Sequence, residues 1–260
     1  MGICKLCGEE RDLIRAHIIP LAFHRHLQSD ADTPPLILGT NPNSFPRRSP
    51  GGLYDEDLLC LPCEQRCGPW DQYGAECLLQ RFEQDAQPRY SDGELLIYEI
   101  YNWDERRLRM FALSLLWRAA VTKNGIFERV TLGGPYEPRL RARILAGDPG
   151  SPNEFSVLLS RWLVQPGHAG LELTQMSPYV WRLEGINMAK IFLGGFVFYI
   201  KCDQRPFIEP FPEIILSPNR PVYAIPRQLE GSKDLVALRP AILNWGPLVF
   251  RAITYGRICR

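Results

Sequence analysis

Neither charge is in excess in this sequence: 30 lysine and arginine residues stand against 29 aspartate and glutamate residues, a formal net charge of +1. The overall charge therefore gives the chain no general electrostatic affinity for nucleic acid, and such binding would require a local basic face. Lysine is scarce, so that the basic residues are mostly arginine. Arginine binds phosphate through two parallel hydrogen bonds and stacks on bases, although an arginine-rich codon usage would produce the same composition.

The chain also lacks a hydrophobic run long enough to cross a membrane. Its most apolar stretch, Ile191 to Ile200, is half of the roughly 20 residues that a spanning helix needs, and is typical of a buried strand. No secretory signal is recognisable after Met1, so we expect a reducing, cytoplasmic location in which the cysteines form no disulfide framework. A hydrophobic content of 45% supports a real core, and 260 residues make one large domain or two small ones.

Four of the eight cysteines form two CxxC pairs, Cys4 with Cys7 and Cys60 with Cys63. Four thiolates in this pattern suit the tetrahedral geometry that zinc prefers. A single CxxC would also fit a redox pair or a chance match, whereas two pairs that flank one segment favour a structural zinc site. His17 lies between the pairs, so zinc would fix both ends of the segment that carries this imidazole. Without the cysteines, His17 would be better explained as a hydrogen-bonded core histidine.

Short strands and helices are interspersed along the chain, which predicts an α+β fold. Apolar residues within 13–19 favour a β-hairpin that Pro20 ends. Residues 28–52, rich in proline, asparagine and glycine, predict a long loop, and residues 85–93 predict a linker. Helices are expected over Pro69–Gln84, Asp104–Asn124 and Pro138–Leu145. The second helix, capped by Asp104 and apolar on most faces, is expected to be the central core helix. Strands are expected at Glu94–Tyr101, Phe155–Leu159, Leu171–Gln175, Tyr179–Leu183, Gly195–Lys201 and Val222–Ile225.

Three motifs in the first third of the chain belong together: Cys4-x-x-Cys7, Ala16-His17-Ile18-Ile19-Pro20 and Leu59-Cys60-x-x-Cys63-Glu64. Together they resemble the signature of the HNH (His-Me finger) endonucleases, and a weaker likeness extends to the Leu-Trp-Arg-Ala run at Leu116–Ala119. The resemblance implies a zinc-braced treble-clef or ββα-metal finger over residues 1–90. It also implies that residues 91–260 form an α+β region for substrate selection, dimerisation or a partner.

The resemblance also implies roles for individual residues. His17 matches the general base that takes a proton from the attacking water, and the four cysteines match the structural zinc ligands. Glu64 matches the last motif residue, which helps to hold a catalytic Mg²⁺ or Mn²⁺ ion, and Asp71 would join it on one helix face. No clear asparagine motif precedes the second cysteine pair to orient His17, although Asn41 and Asn43 lie in the loop.

The catalytic cation would lack one usual ligand, because Ala16 stands where many members of the family place an aspartate or histidine. Asp71, His24 or His26 would replace it, or water would fill the place and the cation would bind weakly. We favour Asp71, since a carboxylate suits Mg²⁺ better than an imidazole does. Pro69 argues against Asp71, because a bend there would rotate its carboxylate away.

The expected function is metal-dependent cleavage of DNA, with RNA as an open alternative, and the resemblance suggests a role in phage defence or on mobile elements. Four arginines are candidate contacts to nucleic acid: Arg15, Arg47, Arg48 and Arg66. Two other functions stay open. The finger could be a catalytically degenerate module that binds nucleic acid or a protein, which Ala16 favours. Alternatively, the chain could be an effector that is silent until a partner engages residues 91–260, which the near-neutral charge favours.

Overall fold

The computed structural model describes residues 1–27, 36–38, 47–49, 51–163, 175–207, 209–228 and 232–234. Most of the expected loop, including Asn41 and Asn43, lies outside the described residues, as does most of the expected strand Leu171–Gln175. Helices and strands are mixed along the described chain, which confirms the α+β class.

The described elements are numbered along the chain. The strands are β1 (Gly2–Ile3), β2 (Glu10–Arg11), β3 (Leu13–His17), β4 (Leu36–Leu38), β5 (Arg47–Arg48), β6 (Tyr54–Cys60), β7 (Gln87–Ser91), β8 (Glu94–Ile100), β9 (Val157–Trp162), β10 (Gln175–Met176), β11 (Tyr179–Leu183), β12 (Ile186–Leu193), β13 (Phe196–Lys201) and β14 (Val222–Arg227). The helices are α1 (Leu21–His26), α2 (Leu61–Ala75), α3 (Phe82–Asp85), α4 (Glu105–Val121), α5 (Tyr136–Ala146) and α6 (Phe211–Ile214), with a π-helical segment at Glu76–Arg81 and a 3₁₀ turn at Gly125–Phe127.

Strands β3 and β6 pair antiparallel, and helix α2 follows β6 directly, so these three elements form a ββα unit. The register places His17 opposite Tyr54 and Leu13 opposite Cys60. The helix begins with a proline in its first turn, where a missing N–H costs nothing, and Glu64 there complements the positive end of the helix dipole. The second cysteine pair is therefore split between the end of a strand and the first turn of a helix.

The expectation that this helix begins at Pro69 is wrong, because α2 begins at Leu61 and runs through Pro69 to Ala75. A proline inside a helix costs one backbone hydrogen bond and strains the preceding turn. Here α2 packs against α4, and we attribute its continuity to that packing. Glu64 and Asp71 consequently lie seven residues apart on one uninterrupted helix, which places them on the same face.

The larger sheet has seven strands in the order β11-β12-β13-β9-β14-β8-β7, antiparallel except for the parallel pair β14–β9. Helix α4 packs on this sheet against β12 and β13. Asp104 caps the helix, since its Oδ1 accepts from the backbone N–H of Arg107 at 3.0 Å. Every residue from Leu108 to Ala119 is buried, which confirms α4 as the central core helix.

Two other expectations about the sheet are wrong. The linker expected at residues 85–93 contains the edge strand β7, whose five residues are all exposed and show no hydrophobic alternation. The apolar run at 191–200 is not one strand but parts of β12 and β13, joined by a turn at Gly194 and Gly195. Both glycines have positive φ, +53° and +85°, a conformation that disfavours a side chain.

The two regions expected from the sequence are in contact along their length. The boundary expected at residue 90 falls within β7, and one hydrophobic core extends from Cys4 to Ala224. The N-terminal cysteine loop also contacts two helices of the second region, α4 and α5. Lys5 Nζ donates to the carbonyl of Val121 at 2.7 Å, and Arg141 Nε donates to that of Leu6 at 2.6 Å. In the described part of the chain, no helix is both long and apolar enough to span a membrane.

Candidate metal centre and the surroundings of His17

The four cysteines of the two CxxC pairs converge in space. The sulfur atoms of Cys4, Cys7, Cys60 and Cys63 all lie within 4.8 Å of one another, and those of Cys7 and Cys60 are 4.0 Å apart. A tetrahedral zinc ion with Zn–S bonds of about 2.3 Å would hold its sulfurs about 3.8 Å apart. This set could therefore hold a metal ion such as zinc, as the spacing of the motif predicts. Three of the four residues are buried, which is typical of a closed structural site.

Backbone amides at this cluster favour a thiolate. The pKa of Cys4 is about 7: burial opposes ionisation, but the backbone amides of Cys7, Cys60 and Leu6 stabilise the thiolate and lower the pKa. Burial raises the pKa of the Cys63 thiol. A metal ion would displace the remaining protons, because only thiolates are effective ligands.

Two further cysteines of the described chain, Cys67 and Cys77, lie outside this set. Cys67 and Cys77 are both fully buried, and burial raises the pKa of Cys67 to about 12, so its thiol stays protonated. Among the described residues, the quartet is the one group of three or more histidine, cysteine or acidic side chains close enough to hold an ion.

The imidazole of His17 is held in one orientation. His17 ends β3, and its Nε2 lies 3.2 Å from the carbonyl oxygen of Gly51. A carbonyl can only accept, so Nε2 carries the hydrogen and Nδ1 keeps its lone pair. The pKa of His17 is lowered, chiefly by burial and also by repulsion from Arg15 and Arg118, against the opposing effect of the Gly51 bond. His17 is therefore a neutral imidazole at pH 7, the form that can accept a proton.

A second imidazole lies beside the first. Gly52 has a φ of +77°, and a Cβ at this position would lie 3.4 Å from Cδ2 of His17 and 3.6 Å from Cγ of His24. His24 is buried, and its Nε2 has no hydrogen-bond partner in the described part of the chain. The sequence identified His24 only as a substitute ligand; its approach to His17 depends on the fold of residues 51–52 against α1.

The two carboxylates expected to bind the catalytic cation have different surroundings. Both oxygens of Asp71 accept from the guanidinium of Arg118, at 2.5 and 2.8 Å, so a cation here would have to displace that guanidinium. Oε2 of Glu64 is buried and has no hydrogen-bond partner among the described residues, and burial raises the pKa of this carboxyl group. Glu64, Asp71 and His17 do not form a group close enough to hold an ion.

Asp71→Ala is expected to reduce the free energy of unfolding by about 3–5 kcal/mol, because it leaves the fully buried Arg118 without its counter-charge. Urea unfolding would measure the change. Glu9→Ala is the control, since Glu9 pairs with Arg11 at an exposed position and should lose less than about 1 kcal/mol. Equal losses in the two variants would contradict the buried ion pair.

An aspartate in place of Ala16 would not simply restore the missing cation ligand. Its side chain is fully buried, whereas its neighbours Arg15 and His17 are more exposed on β3. An aspartate at this position would bury a charge in the core, which is costly without a partner. We therefore expect Ala16→Asp to destabilise the protein, even where water fills the place of the missing ligand.

Two of the candidate nucleic-acid contacts, Arg15 and Arg66, have different neighbours in the described structure. Arg15 is exposed beside His17, with its guanidinium 3.5 Å from the ring centroid of Tyr54. Arg66 donates to the carbonyl of Leu145 at 2.8 Å, on the side of α2 next to α5. Arg48 is exposed on β5, and the side chain of Arg47 lies outside the described residues.

Arg118 is the residue at this site that the sequence did not single out for a role. It reaches from α4 to the backbone of His17, and its only sequence signal was the Leu-Trp-Arg-Ala run.

Comparison of the chain with models of known protein families, with curated proteins and with solved structures found no match to any of them.

Proposed function

We propose that this protein is a metal-dependent endonuclease that cleaves phosphodiester bonds in DNA, with His17 as its general base. One observation carries the proposal: the neutral His17 imidazole is oriented by Gly51 at the end of β3, within a ββα unit whose helix begins at the cysteine quartet. The motif resemblance adds the substrate class, with RNA as an alternative, and a role in phage defence or on mobile elements.

In the proposed reaction, Nδ1 of His17 takes a proton from a water molecule as that water attacks phosphorus. Arg15 stands beside His17 and is a candidate to hold a phosphate of the substrate. When bound, Mg²⁺ or Mn²⁺ would stabilise the negative charge on the leaving oxygen. Glu64 fits such an ion best, because its buried Oε2 lacks a partner. With Asp71 occupied by Arg118, water and the substrate phosphate would complete the ligand shell.

The zinc ion would act only as a structural brace in this proposal. The quartet joins the first cysteine loop to the start of α2, at the end of the β3–β6 pair that lies opposite His17. A closed set of four sulfurs leaves no position for substrate, so zinc would supply rigidity and no chemistry. The test of the proposed function is cleavage of supercoiled plasmid by the purified protein in Mg²⁺ or Mn²⁺, beside His17→Ala.

Cleavage is expected to slow as the pH falls below 6.5. Burial, together with Arg15 and Arg118, places the pKa of His17 below its ordinary value of 6.5, so the imidazole is neutral at higher pH and gains a proton only in more acidic solution. The rate should therefore be constant with respect to this group above pH 6.5 and decrease below its lowered pKa. Initial rates measured across pH in the parent protein test this. A decrease centred above 6.5 would contradict the assignment of His17 as the base.

A second function is a binding module without catalysis, and two observations favour it: Asp71 is already paired with Arg118, and Ala16 is buried. Such a module would keep the zinc and bind DNA or a partner through the surface around Arg15 and residues 91–260. Gel-shift titrations with a DNA duplex distinguish the two functions. If the protein is a binding module, the parent and the His17→Ala variant should bind the duplex equally well. Neither protein should cleave DNA in any divalent metal.

A further inference from the structure

Arg118 on α4 is completely buried and uses every hydrogen-bond donor of its guanidinium. Its exposed fraction is 0%. Nη1 donates to the carbonyl of His17 at 2.8 Å and to Oδ2 of Asp71 at 2.8 Å. Nη2 donates to Oδ1 of Asp71 at 2.5 Å and to Oγ of Ser114 at 3.2 Å, and Nε donates to the Ser114 carbonyl at 3.3 Å. A guanidinium has five N–H groups in a rigid plane, so each of them has an acceptor.

The bond to His17 links two parts of the chain that are 101 residues apart. Arg118 holds the backbone of His17, whereas Gly51 holds its ring. With both the main chain and Nε2 anchored, the direction of the free Nδ1 is fixed. A general base works only from within hydrogen-bond reach of its proton, so this direction decides how well it can act.

Asp71 makes the burial of this cation tolerable. A buried charge without a partner costs several kcal/mol, and a bidentate carboxylate is the best partner for the planar guanidinium. Asp71 lies on α2 and His17 on β3, so Arg118 joins these two elements of the ββα unit to α4. The same carboxylate that the sequence indicated as a cation ligand is thus the counter-ion of an arginine.

We infer that Arg118, with Asp71 as its counter-ion, is the positioning residue that sets the orientation of His17. This inference rests on the proposed function, in which His17 is the general base. Arg118 touches neither substrate nor cation in this role and acts only through the His17 backbone. It also follows that residues 91–260 complete the active site, because α4 lies within that region.

Arg118→Lys tests the inference, since an ammonium is a compact donor that cannot span both Asp71 and the His17 carbonyl. We expect plasmid cleavage to slow by about 100-fold, the effect of a displacement of roughly 1 Å in a catalytic group. We also expect the imidazole NMR signal of His17 to move from its position in the parent protein. The chain has 4 histidines, so His17→Ala assigns this signal directly.

Arg109→Lys is the control for a purely structural role. Arg109 is also on α4, is 2% exposed, and donates to backbone carbonyls of Pro149, Gly150 and Ser151, away from His17. Both variants should lose stability, but only Arg118→Lys should slow cleavage and move the His17 signal. If the two variants affect the His17 signal equally, or if neither affects it, the positioning role is overturned.

The NMR signal separates this inference from the proposed nuclease activity. If the parent protein cleaves nothing in any divalent metal, the nuclease proposal fails. The NMR signal of His17 would still show whether Arg118 determines the orientation of the imidazole. Should Arg118→Lys fail to fold, Ser114→Ala replaces it, since it removes one acceptor of Arg118 and no charge. A His17 signal that stays at the parent position in Ser114→Ala would then overturn the inference.

Discussion

Cys63→Ala is expected to release the metal ion and to unfold the N-terminal part of the protein. The substitution removes one of four thiolates from a buried site, and water cannot replace it within the core around Cys4 and Cys60. In such sites the apparent zinc-binding free energy is about 10–16 kcal/mol, and it is also folding free energy. This binding free energy is comparable with the whole stability of a typical domain, about 5–15 kcal/mol. Elemental analysis should show a decrease from about one metal ion per chain to almost none, with most of the protein insoluble.

Cys77→Ala is the control for this experiment. Cys77 is as fully buried as Cys4 but lies outside the quartet, in the helical segment after α2. Its substitution removes the same side chain from the core without removing a ligand. Cys77→Ala should therefore retain the metal ion and remain soluble. A soluble Cys63→Ala protein with the same metal content as Cys77→Ala would exclude the quartet as a metal site.

His17→Ala is expected to abolish DNA cleavage while leaving the metal content and the fold unchanged. A general base accelerates hydrolysis by about 100- to 10,000-fold, so its loss should reduce cleavage to background. The side chain is only half-buried, at the end of β3, and its hydrogen bond goes to Gly51 rather than to the core. Supercoiled plasmid in Mg²⁺ or Mn²⁺ provides the readout, with circular dichroism and elemental analysis on the same samples.

His26→Ala serves as the matched histidine variant. His26 is exposed at the end of α1 and faces Gly194 rather than Gly51. It should cleave plasmid at the parent rate. If His17→Ala also cleaves at the parent rate, the base lies elsewhere and the proposed mechanism is wrong. If His26→Ala and His17→Ala lose activity together, the loss reflects a general disturbance of α1 and β3.

Local patterns predicted the features that depend on neighbouring residues. The two CxxC pairs predicted the cysteine cluster because each pair needs only a short loop, and Asp104 predicted the start of α4 because a cap bonds three residues ahead. Strand β7 was missed since all of its residues are exposed and Pro88 suggests a break. Strands β12 and β13 merged into one apolar run because β13 is buried on both faces.

The chemistry around His17 could not be predicted because its partners are distant in sequence. The Arg118–Asp71 pair spans 47 residues, and nothing local to Asp71 indicates that an arginine will occupy both of its oxygens. Asp71 therefore looked available for a cation. The orientation of His17 depends likewise on the carbonyl of Gly51, 34 residues away. Every residue type has a backbone carbonyl, so the sequence does not indicate which residue provides such an acceptor.

The most direct test of the account is X-ray absorption spectroscopy at the zinc edge of the purified protein. If the quartet is the structural brace of the ββα unit that carries His17, the spectrum should show one zinc ion per chain with four sulfur ligands at about 2.3 Å and no nitrogen ligand. A folded protein without zinc, or a zinc ion bound through an imidazole nitrogen, would contradict the account.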